Sequence, residues 1–99
     1  MATVYISEYV SPPVVTGKFI NVGDEPAIAT QTVAISAGSL QSAAFGANTR
    51  FIRVHADAIC SVLFGTAPVA TAASPRMAAN TTEFFGVKPG HKIAVITNT

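Results

Sequence analysis

The sequence predicts an all-β protein, an antiparallel β-sandwich of about seven or eight short strands, with the jelly roll among the arrangements it fits. Three observations point there. Val, Ile and Thr number 11, 8 and 11, whereas Leu numbers 2. Branched Cβ atoms suit a pleated surface and lose rotamer freedom in helices. Short stretches alternate apolar and polar residues with a period of two, and Gly, Pro, Asn and Asp interrupt them without any strand–helix–strand alternation. At 99 residues the chain reads as one domain, 1–99. Residues 1–26 read as an extended N-terminal arm or as a packed edge.

The first strand runs over residues 4–10. Val4, Ile6 and Val10 share one face, and Tyr5, Ser7 and Tyr9 share the other. Pro12 and Pro13 end it, since proline cannot donate to a ladder. Residues 14–22 read as an irregular arm or a short strand broken by Gly17. Residues 28–36 form the next strand, with Ala29, Val33 and Ile35 on one side and Thr30 and Thr32 on the other. A short strand at 40–45 follows the turn at Ala37-Gly38-Ser39.

Residues 49–65 hold the longest apolar run and the single cysteine. Ile52, Val54 and Ala56 alternate with Arg53, His55 and Asp57, which fits an antiparallel sheet with one polar face. A turn or bulge at Asp57-Ala58 leads to a more apolar strand at 59–64, ended by Gly65. Ile52, Val54, Cys60, Val62 and Phe64 are the core candidates. Residues 66–82, rich in Ala, Thr, Ser and Pro, read as one long surface loop. Loops of that length are often functional or covered by a partner. Strands at 83–87 and 92–97 bracket Lys88-Pro89-Gly90-His91, whose Pro and Gly suit a type II turn, so the pair reads as a hairpin.

The chemistry-bearing residues are few. His55, Asp57, Cys60 and Ser61 lie close in sequence, but a triad needs a nucleophile held by a base that is itself oriented. Cys60 sits in an apolar run and reads as a small buried hydrophobe. Two histidines and one cysteine, without C-x-x-C, H-x-x-x-H or a carboxylate cluster, make a poor metal set. The spacing of Gly86, Gly90 and Lys92 does not match a phosphate loop. No catalytic residue, metal or cofactor is assigned, and the chain is read as a non-enzyme.

Charge bounds the partners. The net charge of +1 carries no nucleic-acid signal. No apolar stretch nears the roughly 20 residues a membrane helix requires, and the N-terminus does not read as a signal peptide. Charged residues make up 11% of the chain, against about 25% in ordinary domains. Uncharged surfaces invite association, and charge is depleted at interface cores. A homo-oligomer is therefore expected.

Residues 53–96 resemble small β-sandwich virion proteins encoded near the head genes of tailed bacteriophages. The resemblance rests on Cys-x-Val-x-Phe-Gly at Cys60 to Gly65, Ala70-Thr71-Ala72 and the small-residue turn at Met77 to Asn80. It continues through Glu83-Phe84-Phe85 and Gly90-x-Lys92-Ile93-Ala94-Val95-Ile96, and covers about half the chain. It implies a capsid decoration or cement protein that binds across major capsid protein subunits or other virion proteins. The implied location is the capsid surface of the virion, after assembly in the host cytoplasm. The alternative is a carbohydrate- or receptor-binding sandwich module of a tail or fibre. The protein-interface candidates are Tyr5, Tyr9, Pro12 and Pro13 from the arm and Arg53 and His55 from the polar face. Pro68, Pro75, Arg76 and Met77 from the long loop and Phe85 complete the set, with Arg76 and Phe85 as anchors. Phe84 and Phe85 must face opposite sides of their strand, so one of them enters the core.

Overall fold

The structure is a computed structural model that describes residues 2–10, 14–15, 18–19 and 26–98. It contains ten strands and no helix among those residues. Sheet one comprises β1 (Thr3–Tyr9), β4 (Ala29–Ala34), β6 (Phe51–Ala56) and β9 (Thr81–Gly86), in the order β4-β1-β6-β9. Sheet two comprises β5 (Leu40–Gln41), β7 (Cys60–Gly65), β8 (Arg76–Met77) and β10 (Lys92–Thr97), in the order β5-β10-β7-β8. All pairings are antiparallel. A separate two-stranded ladder joins β2 (Val14–Val15) to β3 (Lys18–Phe19).

The inner faces of the two sheets make one core. Val4 and Ile6, Val33, Ile52 and Val54 come from sheet one, and Cys60, Val62, Ile93 and Val95 from sheet two. Residues two apart on each strand share a face, which is why the alternation in sequence becomes this layer. Burying each Val or Ile side chain stabilises the fold by roughly 1.5–3 kcal/mol before entropy is counted. All five core candidates from residues 49–65 take their expected places, four buried and Phe64 partly so.

From β4 to β7 the chain changes sheet at every step, and it changes again from β8 to β9 and from β9 to β10. Counted from β4, that is the winding of an eight-stranded jelly roll, and β1 fills the slot between β4 and β6 that the last strand of such a roll takes. The amide of Ile35 donates to the carbonyl of Ala2 (3.0 Å) and that of Thr97 to Ser36 (2.9 Å). The start of β1 and the end of β10 therefore meet at the same link.

Several local expectations are corrected. The turn at Lys88-Pro89-Gly90-His91 forms, with His91 N–H donating to the Lys88 carbonyl at 3.2 Å and Gly90 at φ 78°. Positive φ at that position is what a type II turn requires. The strands beside it do not form a hairpin: β9 pairs with β6 and β10 with β7. The turn carries the chain between sheets, because turn chemistry sets a bend and not a partner. The strand expected at 40–45 stops at Gln41, and the Ser42 hydroxyl accepts the Ile93 amide in place of a ladder carbonyl (3.1 Å). The expected loop at 66–82 contains β8 and ends where β9 begins. The expected pattern at 4–10 also breaks. Val10 is exposed and Glu8 takes the inward place, while Tyr9, on the other face, is 2% exposed.

Candidate functional site

Antiparallel register aligns residues across sheet one in rows. Tyr5, His55 and Thr82 form one row on its outer face, and Ser7, Arg53 and Phe84 form the next. Tyr9, Phe51 and Gly86 form a third. In the first row the Tyr5 and His55 rings lie 6.4 Å apart and tilted. His55 Nδ1 is 2.9 Å from Thr82 Oγ1, and Nε2 is 3.7 Å from Asp57 Oδ1. The imidazole is thus oriented from both nitrogens on a half-exposed face. At 3.7 Å the Asp57 contact is too long for a hydrogen bond, so the carboxylate does not lock the ring as a triad would. At the other end of the face the Tyr9 ring is tilted against Phe51, centroids 6.4 Å apart, and Phe51 stacks on Phe84 at 5.6 Å.

Cys60 and Ser61 lie in sheet two, fully buried, away from this face. Burial pushes the Cys60 thiol up from its ordinary value, and the Glu83 carboxylate adds to the shift. A neutral, inaccessible thiol is no nucleophile. Among the described residues, no three His, Cys, Asp or Glu side chains gather to hold a metal ion.

Much of the outer face of sheet two is covered by the chain itself, while Leu63 on β7 stays exposed. Residues 66–75 lie over it. Gln41 Nε2 donates to the Pro68 carbonyl (2.8 Å) and the Ala70 amide to Ser39 Oγ (2.9 Å), while at the end of the loop the Val62 amide donates to the Pro75 carbonyl (2.8 Å) and extends the β7–β8 ladder. Asn98 Nδ2 bridges Ser61 Oγ (2.6 Å) and the Ala72 carbonyl (3.2 Å). Ser61 and Ala94 face outward yet are fully buried beneath this cover. Between the sheets, at the end formed by Phe64, Gly65, Gly86, Val87, Lys88 and His91, a half-open cleft of about 240 Å³ has a basic rim. It is smaller than typical small-molecule sites.

The interface candidates scatter accordingly. Tyr5, Pro75 and Arg76 are exposed, and Arg53 and His55 half-buried on the outer face of sheet one. Tyr9, Pro68 and Met77 are buried within the chain, which withdraws them from any partner's reach. Phe85 points inward, opposite Ile52, and packs 5.0 Å from Phe64, so the outward aromatic of that pair is Phe84. Pro12 and Pro13, like residues 11, 16–17 and 20–25 of the expected arm, lie outside the described residues. The part of the arm at Thr3–Tyr9 is an interior strand of sheet one.

Sequence reading missed Thr82 and Phe84 as members of the outer face, because their partners lie on a strand about 30 residues away. It also missed a buried clamp. Glu8, 4% exposed, accepts hydrogen bonds from Thr49 Oγ1 (2.8 Å), the Gly46 amide (3.0 Å) and Gln31 Nε2 (3.2 Å). An acidic residue at an inward position of an otherwise apolar alternation was the available signal.

No family model, curated protein or solved structure matches the chain.

Proposed function

We propose that this chain is a non-enzymatic structural protein of a bacteriophage virion, a decoration or cement protein that self-associates and binds across major capsid protein subunits. The observation that carries the reading is the surface. Tyr5, Val10, Ile28, Leu40, Leu63 and Val69 are large apolar side chains left exposed on a chain with 11% charged residues. Such a surface favours association over solvation, and many weak contacts repeated on a lattice gain strength by avidity. The likeness of residues 53–96 to small phage sandwich proteins supports the same reading. The test is co-sedimentation with heads assembled from the major capsid protein encoded in the same genome. Saturable binding that raises the heat resistance of the heads is expected, and absence of binding contradicts the role.

The row Tyr5, His55 and Thr82 favours a second reading, a glycan- or receptor-binding face. An exposed ring beside polar side chains offers stacking together with hydrogen bonds. Selective binding on a glycan array that is lost in Tyr5→Ala would support it.

A further inference from the structure

A four-stranded sheet has two edges, and a row of unpaired amides and carbonyls along an edge is a template for another strand. Three of the four edge strands in this sandwich are guarded. β5 and β8 are two residues long, and the loop at 66–75 bonds to β5 through Gln41. β9 carries Glu83 opposite Val54, on the inward face, and an inward-pointing charge disfavours a strand added outside it. Among the described residues, β4 has none of these devices. It runs six residues, Ala-Thr-Gln-Thr-Val-Ala, without charge or proline. The Ile35 amide bonds to Ala2 on the β1 side. The alternation of an antiparallel ladder then turns the amides of Val33 and Gln31 the same way, and leaves those of Thr30 and Thr32 facing outward. Both threonine side chains are exposed. The strand is also held ready: the Gln31 side chain bonds Glu8 and both backbone groups of Ala43, which fixes the middle of the edge from inside.

We propose that the β4 edge is a self-association site, at which two copies join β4 to β4, antiparallel about a two-fold axis at Gln31. In that register Thr30 of each copy stands opposite Thr32 of the other, so the outward amides and carbonyls of one copy satisfy those of its partner. The chemistry favours a second copy. A two-fold pairing sets each residue against its own kind of segment, and an uncharged strand meets no like charge there, while threonine pairs well across strands. This deepens the proposed virion role by naming the edge through which the chain self-associates, but the dimer does not depend on that role. Dimerisation without head binding would refute the role alone, and head binding by a strict monomer would refute the edge alone.

The test is sedimentation of the full chain over a range of concentrations, with circular dichroism to verify the fold. The wild type is expected to dimerise. Thr32→Pro removes one outward amide without touching a β1 bond and should weaken the dimer at least about tenfold. The double variant Thr30→Lys with Thr32→Lys sets like charges opposite each other and should give monomer, whereas Thr30→Lys with Thr32→Glu sets opposite charges there and should retain the dimer. If Thr32→Pro does not fold, the two charge variants decide. A wild type that stays monomeric overturns the proposal. So do a doubly lysine variant that dimerises like wild type and a lysine–glutamate variant as weak as it.

Discussion

The two sheets are similar in strand number and opposite in how they are finished. Sheet two is held from outside, by the loop at 66–75 and the Asn98 bridge, which bury the outward-facing Ser61 and Ala94. Sheet one is held from inside, by the Glu8 clamp on Gly46 and Thr49, while the Tyr5–His55–Thr82 row and the β4 edge stay open. The cover satisfies much of its sheet with the chain's own atoms, although Leu63 on that face and Val69 on the cover stay exposed. The difference fits the proposed self-association through the β4 edge of sheet one, with sheet two finished largely by its own loop.

The sharpest way to break that comparison is to place the same charge on both outer faces. Ala94→Glu buries a carboxylate with no partner under the loop and should cost roughly 3 kcal/mol or more, enough to unfold much of the population. Thr32→Glu, on the open face, should change the stability of the monomer by no more than about 0.5 kcal/mol. Chemical denaturation of both proteins checks the pair, and equal losses would mean that the faces do not differ.

The clamp comes next. Glu8→Ala leaves the buried Thr49 hydroxyl and the part-buried Gly46 amide without their acceptor and should cost roughly 2–3 kcal/mol. Denaturation measures the loss, and proteolysis should show residues 46–49 opening first. A change near zero would mean that sheet one is not held from inside.

Ser61→Ala removes one hydrogen bond beneath the cover, for about 1 kcal/mol, which in a domain of this size lowers Tm by roughly 4–8 °C. Hydrogen exchange in 70–75 should accelerate while β1 and β6 stay unchanged. Acceleration spread equally over both sheets would deny the loop its separate role.

The smallest effect is a pH dependence. The Cys60 thiol ionises at higher pH in the folded chain than in the unfolded chain, whose ordinary value is 9.0. Above that value the unfolded state has already lost its proton and the folded state has not, so stability falls as pH rises. Cys60→Val should flatten this alkaline slope and shift neutral-pH stability by less than about 1.5 kcal/mol. An unchanged slope would mean that Cys60 is not its source.

Most of the sandwich was legible because burial acts through a period of two. Val4 and Ile6, Ile52 and Val54, and Cys60 and Val62 announce an inward face by spacing alone. Partnership was not legible. Lys88-Pro89-Gly90-His91 specifies its bend, yet whether β10 returns beside β9 or crosses to β7 depends on which core the whole chain can close. The same reason hid the site. His55 was visible as polar, but Thr82 became its partner only through the β6–β9 register. Phe84 and Phe85 were known to diverge, and register decided that Phe85 goes inward. The loop at 66–82 looked like a partner's perch. Its bonds to Gln41, Ser39 and Asn98 make residues 66–75 a cover.

The division of labour between the sheets is tested most directly by residue-resolved amide exchange at low and high protein concentration. The account predicts that the Thr30 and Thr32 amides exchange fast when dilute and become protected on concentration, while the Val62 amide, bonded to Pro75, is protected at both. Thr30 and Thr32 rates that ignore concentration, or a Val62 amide as fast as theirs, would contradict it.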